Sequence, residues 1–344
     1  VRGAIHQTRR DLYRLPGTAR PALIVAGLCA LLLLSAFFAL QLGSSTLSIE
    51  DLLRWMMPFV PSDRETTAIM TLRWPRVAMA MLGGGMIAAS GYILQVVSRN
   101  GLADPGLLGI SQGTMAAVVL GATVFSVPPQ WLALAGLGGG MATAIGVLML
   151  ARMLASPSGL ILVGLAVGIV LSAMIEIVMV QGGILQFARW LAWSHGSLTV
   201  ASATSVTMVA LWAVVLLPLT LVMSRQMMPL LLGAEQAAGI GASPKYLLPL
   251  FTLLAAALVA PIVAAVGPIS FLGLIGAHIA RRLVGERPGA VLPVAMLCGA
   301  LLLLAADTAG RTLFLPVIVP AGILVSVAGV ITFLIAARLS RQVR

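Results

Sequence analysis

Apolar runs of membrane-crossing length, separated by short polar or basic breaks, make up most of this chain. At about 20 residues per crossing, the pattern predicts helices over 21–42, 75–97, 107–126, 130–153, 159–181, 201–223, 245–266, 269–284, 289–307 and 318–337. The period-two alternation of a membrane β-barrel is absent. The expected fold class is therefore all-α: a polytopic helical bundle of about ten crossings, forming a single transmembrane domain over 1–344. Two breaks carry structure of their own. In 48–59, Leu52, Leu53, Met56 and Met57 fall opposite Glu50, Asp51 and Arg54, which predicts a short helix lying along the membrane interface. In 224–244, glycines at 233, 239 and 241 bracket 234–238, long enough for about one and a half helical turns.

Composition changes the picture only by closing off alternatives. Hydrophobic residues are 60% and charged residues 9% of the 344, and mean hydropathy is +1.08, which excludes a water-soluble domain. A net charge of +11 could suit nucleic acid, but the basic residues punctuate apolar runs and form no aromatic-interleaved patch. Topology explains them better. With the basic tail 1–20 inside the cell, 15 of the 21 basic residues fall in inner loops and six, Arg54, Arg64, Arg73, Arg76, Arg189 and Arg311, fall outside. Both termini are then cytoplasmic, the loop 224–244 is cytoplasmic, and the first apolar run is a retained helix. Cys29 and Cys298 lie inside apolar runs without metal-ligand spacing and read as small core residues.

The segment 72–113 is the most informative. It sets Arg73-Trp74-Pro75-Arg76 at the outer end of a span and Arg99-Asn100-Gly101-Leu102-Ala103-Asp104-Pro105 at the inner end. Catalytic material is scarce: the carboxylates inside spans are Glu176 and Asp307, His195 is in an outer loop, and His278 stands beside Arg281 and Arg282 at a helix end. No zinc-protease, aspartate-rich or phosphate-loop motif is present, so no enzyme is expected. Glu176 has no basic residue three or four positions away. It admits two readings, a proton-coupling group or a structural residue facing an interface. Small residues at 83–85, 88–91, 136, 138–140, 164 and 168 predict close helix packing.

Five ordered segments carry a resemblance over nearly the whole chain. They are Arg73-x-Pro75-Arg76 through Ser90-Gly91 to Gln95; Arg99-Asn100-x-Leu102-Ala103-x-Pro105 with Leu108-Gly109-Ile110-Ser111; Leu232-Gly233-x-Glu235-x-Ala237-Ala238-x-Ile240-Gly241; Gly267-Pro268-Ile269-x-Phe271-Leu272-Gly273 with His278-Ile279-Ala280-Arg281; and Ala306-Asp307-x-x-x-Arg311 leading to Pro320-Ala321-Gly322. The sequence resembles the permease subunits of bacterial type II ABC importers, which carry iron-siderophores, haem or cobalamin. The resemblance implies a multi-pass protein of the bacterial cytoplasmic membrane that pairs with a second permease, identical or different. It also implies two cytoplasmic ATPases and a periplasmic or lipid-anchored substrate-binding protein. ATP and Mg are then used by the partner ATPase, and no cofactor is bound by this chain.

Residue by residue, the resemblance implies that Arg73, Arg76 and Arg311 dock the binding protein, and that Gly233, Glu235, Ala238 and Gly241 form the coupling segment against the ATPase. Asn100 and Leu102, with Pro157 and Ser158, would line the gate of the translocation path. The chain departs from the family where Gly101 replaces a proline and Val319 replaces a frequent glutamate. The run 311–322 favours the hydroxamate-siderophore and ferric-dicitrate branches, so an iron(III)-siderophore is the expected cargo. Haem or cobalamin is the alternative within the family. A proton-coupled secondary transporter using Glu176 is the alternative outside it.

Overall fold

The structure is a computed structural model that describes residues 19–43, 47–57, 63–153, 159–181, 190–191 and 193–341. Among these the chain forms helices α1 Ala19–Gln41, α2 Ile49–Met56, α3 Arg64–Ser98, α4 Ile110–Thr123, α5 Pro129–Met153, α6 Gly159–Gln181, α7 Ala203–Leu232, α8 Ala234–Gly239, α9 Pro244–Val266, α10 Leu272–Val284, α11 Pro288–Thr312 and α12 Ala321–Arg341, with no strand. Seven of them, α1, α3, α5, α6, α7, α9 and α11, are long and apolar enough to cross a membrane. The shorter α4 and α10 and the apolar part of α12 occupy the other three predicted crossings. The protein is a multi-pass membrane protein.

Two predicted boundaries move furthest. The second span starts at Arg64, not at 75, because Pro75 lies inside α3 and does not open it. A proline at the head of an apolar run is a reasonable helix-start signal, but here the helix is already running at Thr67 and Thr71, whose hydroxyls donate to the carbonyls four residues back. The predicted 201–223 span likewise continues to Leu232. Its start is fixed by Ser202, whose hydroxyl and backbone exchange hydrogen bonds with Ser205.

α3 is the centre of the bundle: 83% of its most apolar window is buried, against 17% for α1 and α6. Lipid is as apolar as a leucine, so crossing helices associate through close backbone approach rather than through a hydrophobic drive. The α3 glycines make that approach. A β-carbon on Gly84 would lie 2.5 Å from the Gly299 carbonyl oxygen on α11, and one on Gly91 would lie 2.4 Å from the Gly273 α-carbon on α10. The side chains between these crossings, including Met79, Met86, Ile87, Tyr92, Ile93 and Leu303, are almost fully buried. α2 forms as its pattern predicts. Ser48 caps it by accepting from the Asp51 backbone N–H, Leu52 is fully buried, and Leu53 and Met56 are exposed.

Candidate functional site

Three polar groupings interrupt the apolar bundle. The first lies where the end of α1 meets α3 and α11. The last carbonyls of a helix have no partner within it and carry partial negative charge. At the end of α1 these carbonyls meet guanidinium groups. Arg73 Nη1 donates to Leu40 O at 3.1 Å and to Gln41 O at 2.9 Å. Arg311 donates to the carbonyls of Ala39 and Leu42. Gly43 leaves the room for this, since a β-carbon there would stand 2.4 Å from Arg73 Nη2.

Asp307 joins the group from α11. Its Oδ1 accepts from Arg76 Nη2 at 2.9 Å, and its Oδ2 lies 3.3 Å from Arg311 Nε. Three of the side chains are nearly sealed, with exposures of 7% for Arg73, 6% for Arg311 and 3% for Asp307, and Arg76 retains 14% of its side chain at the surface. The structure thus brings together the three arginines named from sequence, over 231 residues in the case of Arg76 and Asp307. It also adds Asp307 as the counter-ion of Arg76 and Arg311. The four-residue spacing of Asp307 and Arg311 was the signal available for that pair.

The second grouping lies at the opposite end of α3. Arg99 closes α3 in the left-handed conformation, φ 52°. The turn that follows is held by Asn100, whose Oδ1 accepts from Leu102 N at 3.0 Å and whose carbonyl accepts from Ala103 N at 3.0 Å. Gln95 fixes it from behind, accepting from Arg281 Nη1 on α10 and donating to Ala103 O at 3.5 Å. Gly101 has space: a β-carbon there would meet only Arg281 Nη2, at 3.7 Å.

Beside this turn stands α8, the short helix expected from the glycine spacing. Gly233 precedes it with φ +102° and Gly241 follows it with φ +84°, conformations that side-chain-bearing residues rarely adopt. Glu235 and Ala238 are exposed, whereas Ala237 is buried. Arg99, Asn100, Gly233, Glu235 and Gln236 line one cavity of about 840 Å³. A β-carbon on Gly233 would lie 2.8 Å from Arg99 Nη1, so the Arg99 guanidinium rests against the entry to α8. Leu102 is exposed beyond this cavity. Pro157 and Ser158 lie outside the described residues; Ile161, near the start of α6, reaches the cavity.

The third grouping lies along α6. Glu176 and Ser172 share a concave groove of about 290 Å³ with Gly168, Gln112 from the first turn of α4, and Gly106 from the 3₁₀ turn Pro105–Leu108. Asp104 caps that turn, its Oδ1 accepting from Gly106 N at 3.0 Å.

These features can be set beside known proteins. The FecCD transport family matches residues 31–338. The chain is 36% identical to the Fe(3+)-citrate import system permease protein YfmE of Bacillus subtilis (strain 168), over 92% of this chain and 94% of the relative. It is also 36% identical to the probable siderophore transport system permease protein YfhA of the same organism, over 76% and 78%. Among solved structures it is similar to a metal-chelate type ABC transporter described in an inward-facing conformation, with a TM-score of 0.81, 26% identity, and coverage of 92% of this chain and 99% of the other.

Proposed function

The chain belongs to the FecCD transport family, and from that membership we propose that it is the membrane-spanning permease subunit of an ATP-driven importer for an iron(III)-siderophore complex. Relatives named for ferric citrate and for iron(3+)-hydroxamate, the latter 33% identical over 91% of this chain, support the cargo class. The observation that carries the mechanism is the cavity in which the α8 entry and the Asn100 turn meet. The chain has no phosphate-binding loop, so the energy of hydrolysis has to enter from a partner. α8 offers the contact: a helix of one and a half turns with Glu235 and Ala238 outward, braced on Ala237. Displacement of α8 presses on Arg99, and Arg99 is the residue on which the Asn100 turn pivots. Pro157 and Ser158 would complete that gate from the α5–α6 connection.

On this reading the Asn100 turn and α8 face the cytoplasm, as do both termini, and the arginine cluster faces the binding protein. Three guanidiniums against one carboxylate leave the cluster positive. Arg76 is the member placed to reach an acidic side chain on the binding protein, while Arg73 and Arg311 anchor the ground beneath it and contribute to the field. Charges so placed set encounter rate and register more than affinity. The assembly would contain a second permease, two ATPases and the binding protein.

The test is uptake of a ferric hydroxamate into proteoliposomes holding the complete complex. Uptake is expected to require ATP, and Glu235→Arg is expected to lower it by about tenfold or more while the loaded binding protein still docks. Uptake that continues without the ATPase would overturn the proposal in favour of a secondary carrier.

A further inference from the structure

Glu176 sits where a carboxylate facing lipid should not be. α6 has a mean hydropathy of 2.6 over its apolar window, only 17% of which is buried within the subunit. Leu162, Ile169, Val170, Ile177 and Val180 are each more than 60% exposed, and Glu176 is exposed among them. A charged side chain at this depth is costly in hydrocarbon and is retained where it meets water or protein. Its immediate surroundings decide between the two.

Two further observations point at the same groove. Its floor includes Gly106, part of the non-helical stretch between α3 and α4. Gly109 of this stretch packs on α6, where a β-carbon would lie 3.0 Å from the Gly164 carbonyl oxygen. Non-helical backbone beside the middle of a crossing helix is tolerated where protein buries it or where it lines a watery cavity, not against lipid. The rim holds Gln112, whose Oε1 is sealed beneath the surface with no hydrogen-bond partner among the described residues. A carboxylate, the Ser172 side chain and irregular backbone therefore line one concavity. It extends along α6 from Leu165 to Glu176, about 16 Å at the helical rise.

The geometry points to this groove as a water-filled wall of the translocation path, shared with the second permease subunit, in which Glu176 contacts the cargo and favours chelates bearing ammonium or other hydrogen-bond-donor groups over anionic ones. This rests on the importer reading above. The exposed Glu176 carboxylate has the polarity that such cargo needs. Glu176 here selects among cargoes and does not carry the driving proton.

The experiment uses the complete complex in lipid nanodiscs, with Cys29→Ala and Cys298→Ala as background and Ser172→Cys as reporter, one turn from Glu176. Gln112→Cys, across the groove, is the second reporter should the first not assemble. The probes are methanethiosulfonates carrying either an ammonium or a sulfonate; the cysteine thiolate attacks the sulfenyl sulfur, forms a disulfide and releases methanesulfinate. A thiol in a watery lumen reacts with both. A full charge one helical turn away should separate the two rates by about tenfold in favour of the cationic probe, and Glu176→Gln should remove that preference. Unreactive cysteines at both positions would mean a groove closed by lipid or dry protein and would overturn the inference. So would labelling with no charge preference. ATP dependence of uptake by the unmutated complex is measured alongside: if uptake needs no ATP, the importer reading fails, and if it does but the cysteines stay silent, only this inference fails.

Discussion

The Arg73, Arg76, Asp307 and Arg311 group shows how one residue's role is fixed by what its neighbours lack. The end of α1 presents carbonyls that have no donor within the helix, and Arg73 and Arg311 bond to them while Asp307 balances part of the charge. Removing the carboxylate leaves buried guanidiniums facing one another. Asp307→Asn is therefore expected to destabilise the protein by about 3 kcal/mol, the scale for breaking a buried ion pair, read as a lower thermal midpoint in detergent. Arg76→Glu should lower that midpoint as well, because it sets a second carboxylate against the buried Asp307, but unlike Asp307→Asn it should also slow binding-protein association and weaken its salt dependence. At the other end of α3, Gly233→Ala combines a φ of +102° with a contact 2.8 Å from Arg99 Nη1. It is expected to cost about 1–2 kcal/mol locally and to reduce uptake per ATP hydrolysed, measured as the ratio of the two rates. Gly101→Ala, with open space, should leave that ratio unchanged.

Among the elements, α3 depends on its glycines more than on its hydrophobicity. Gly84 meets the α11 backbone with no room for a methyl group, whereas a β-carbon on Gly138 of α5 would meet nothing within 4 Å. Gly84→Ala should cut the yield of folded protein, measured by monodispersity after extraction, while Gly138→Ala should be neutral. Both lie in glycine-rich runs that look alike in sequence. The difference is legible only when the partner helix is in place. Helix existence was readable because a crossing needs a sustained apolar run. Boundaries were less so: Pro75 read as a start and proved interior, because α3 is already running from Arg64 and the proline only removes one bond, to the Thr71 carbonyl, within it. α8 was legible from its flanking glycines, since their positive φ values are what stops and starts it.

For the whole molecule, the arrangement separates an arginine-rich end from the end where α8 meets the Asn100 turn, with α3 running unbroken between them for 35 residues. A central helix with a polar anchor at each end suits the proposed subunit, which would pass a signal from a partner ATPase to the cargo path. The apolar runs, the charge split and the ordered motifs determined by themselves that this is an all-helical membrane protein and pointed to its family, because bilayer thickness and the cost of buried charge act on local sequence. Only the tertiary structure decided that Asp307 is the partner of Arg76, that Arg99 touches Gly233, and that Glu176 lines a groove with Gln112 and Gly106. Those pairings join residues far apart in the chain, and a contact between distant residues is set by how helices pack, which no local pattern encodes.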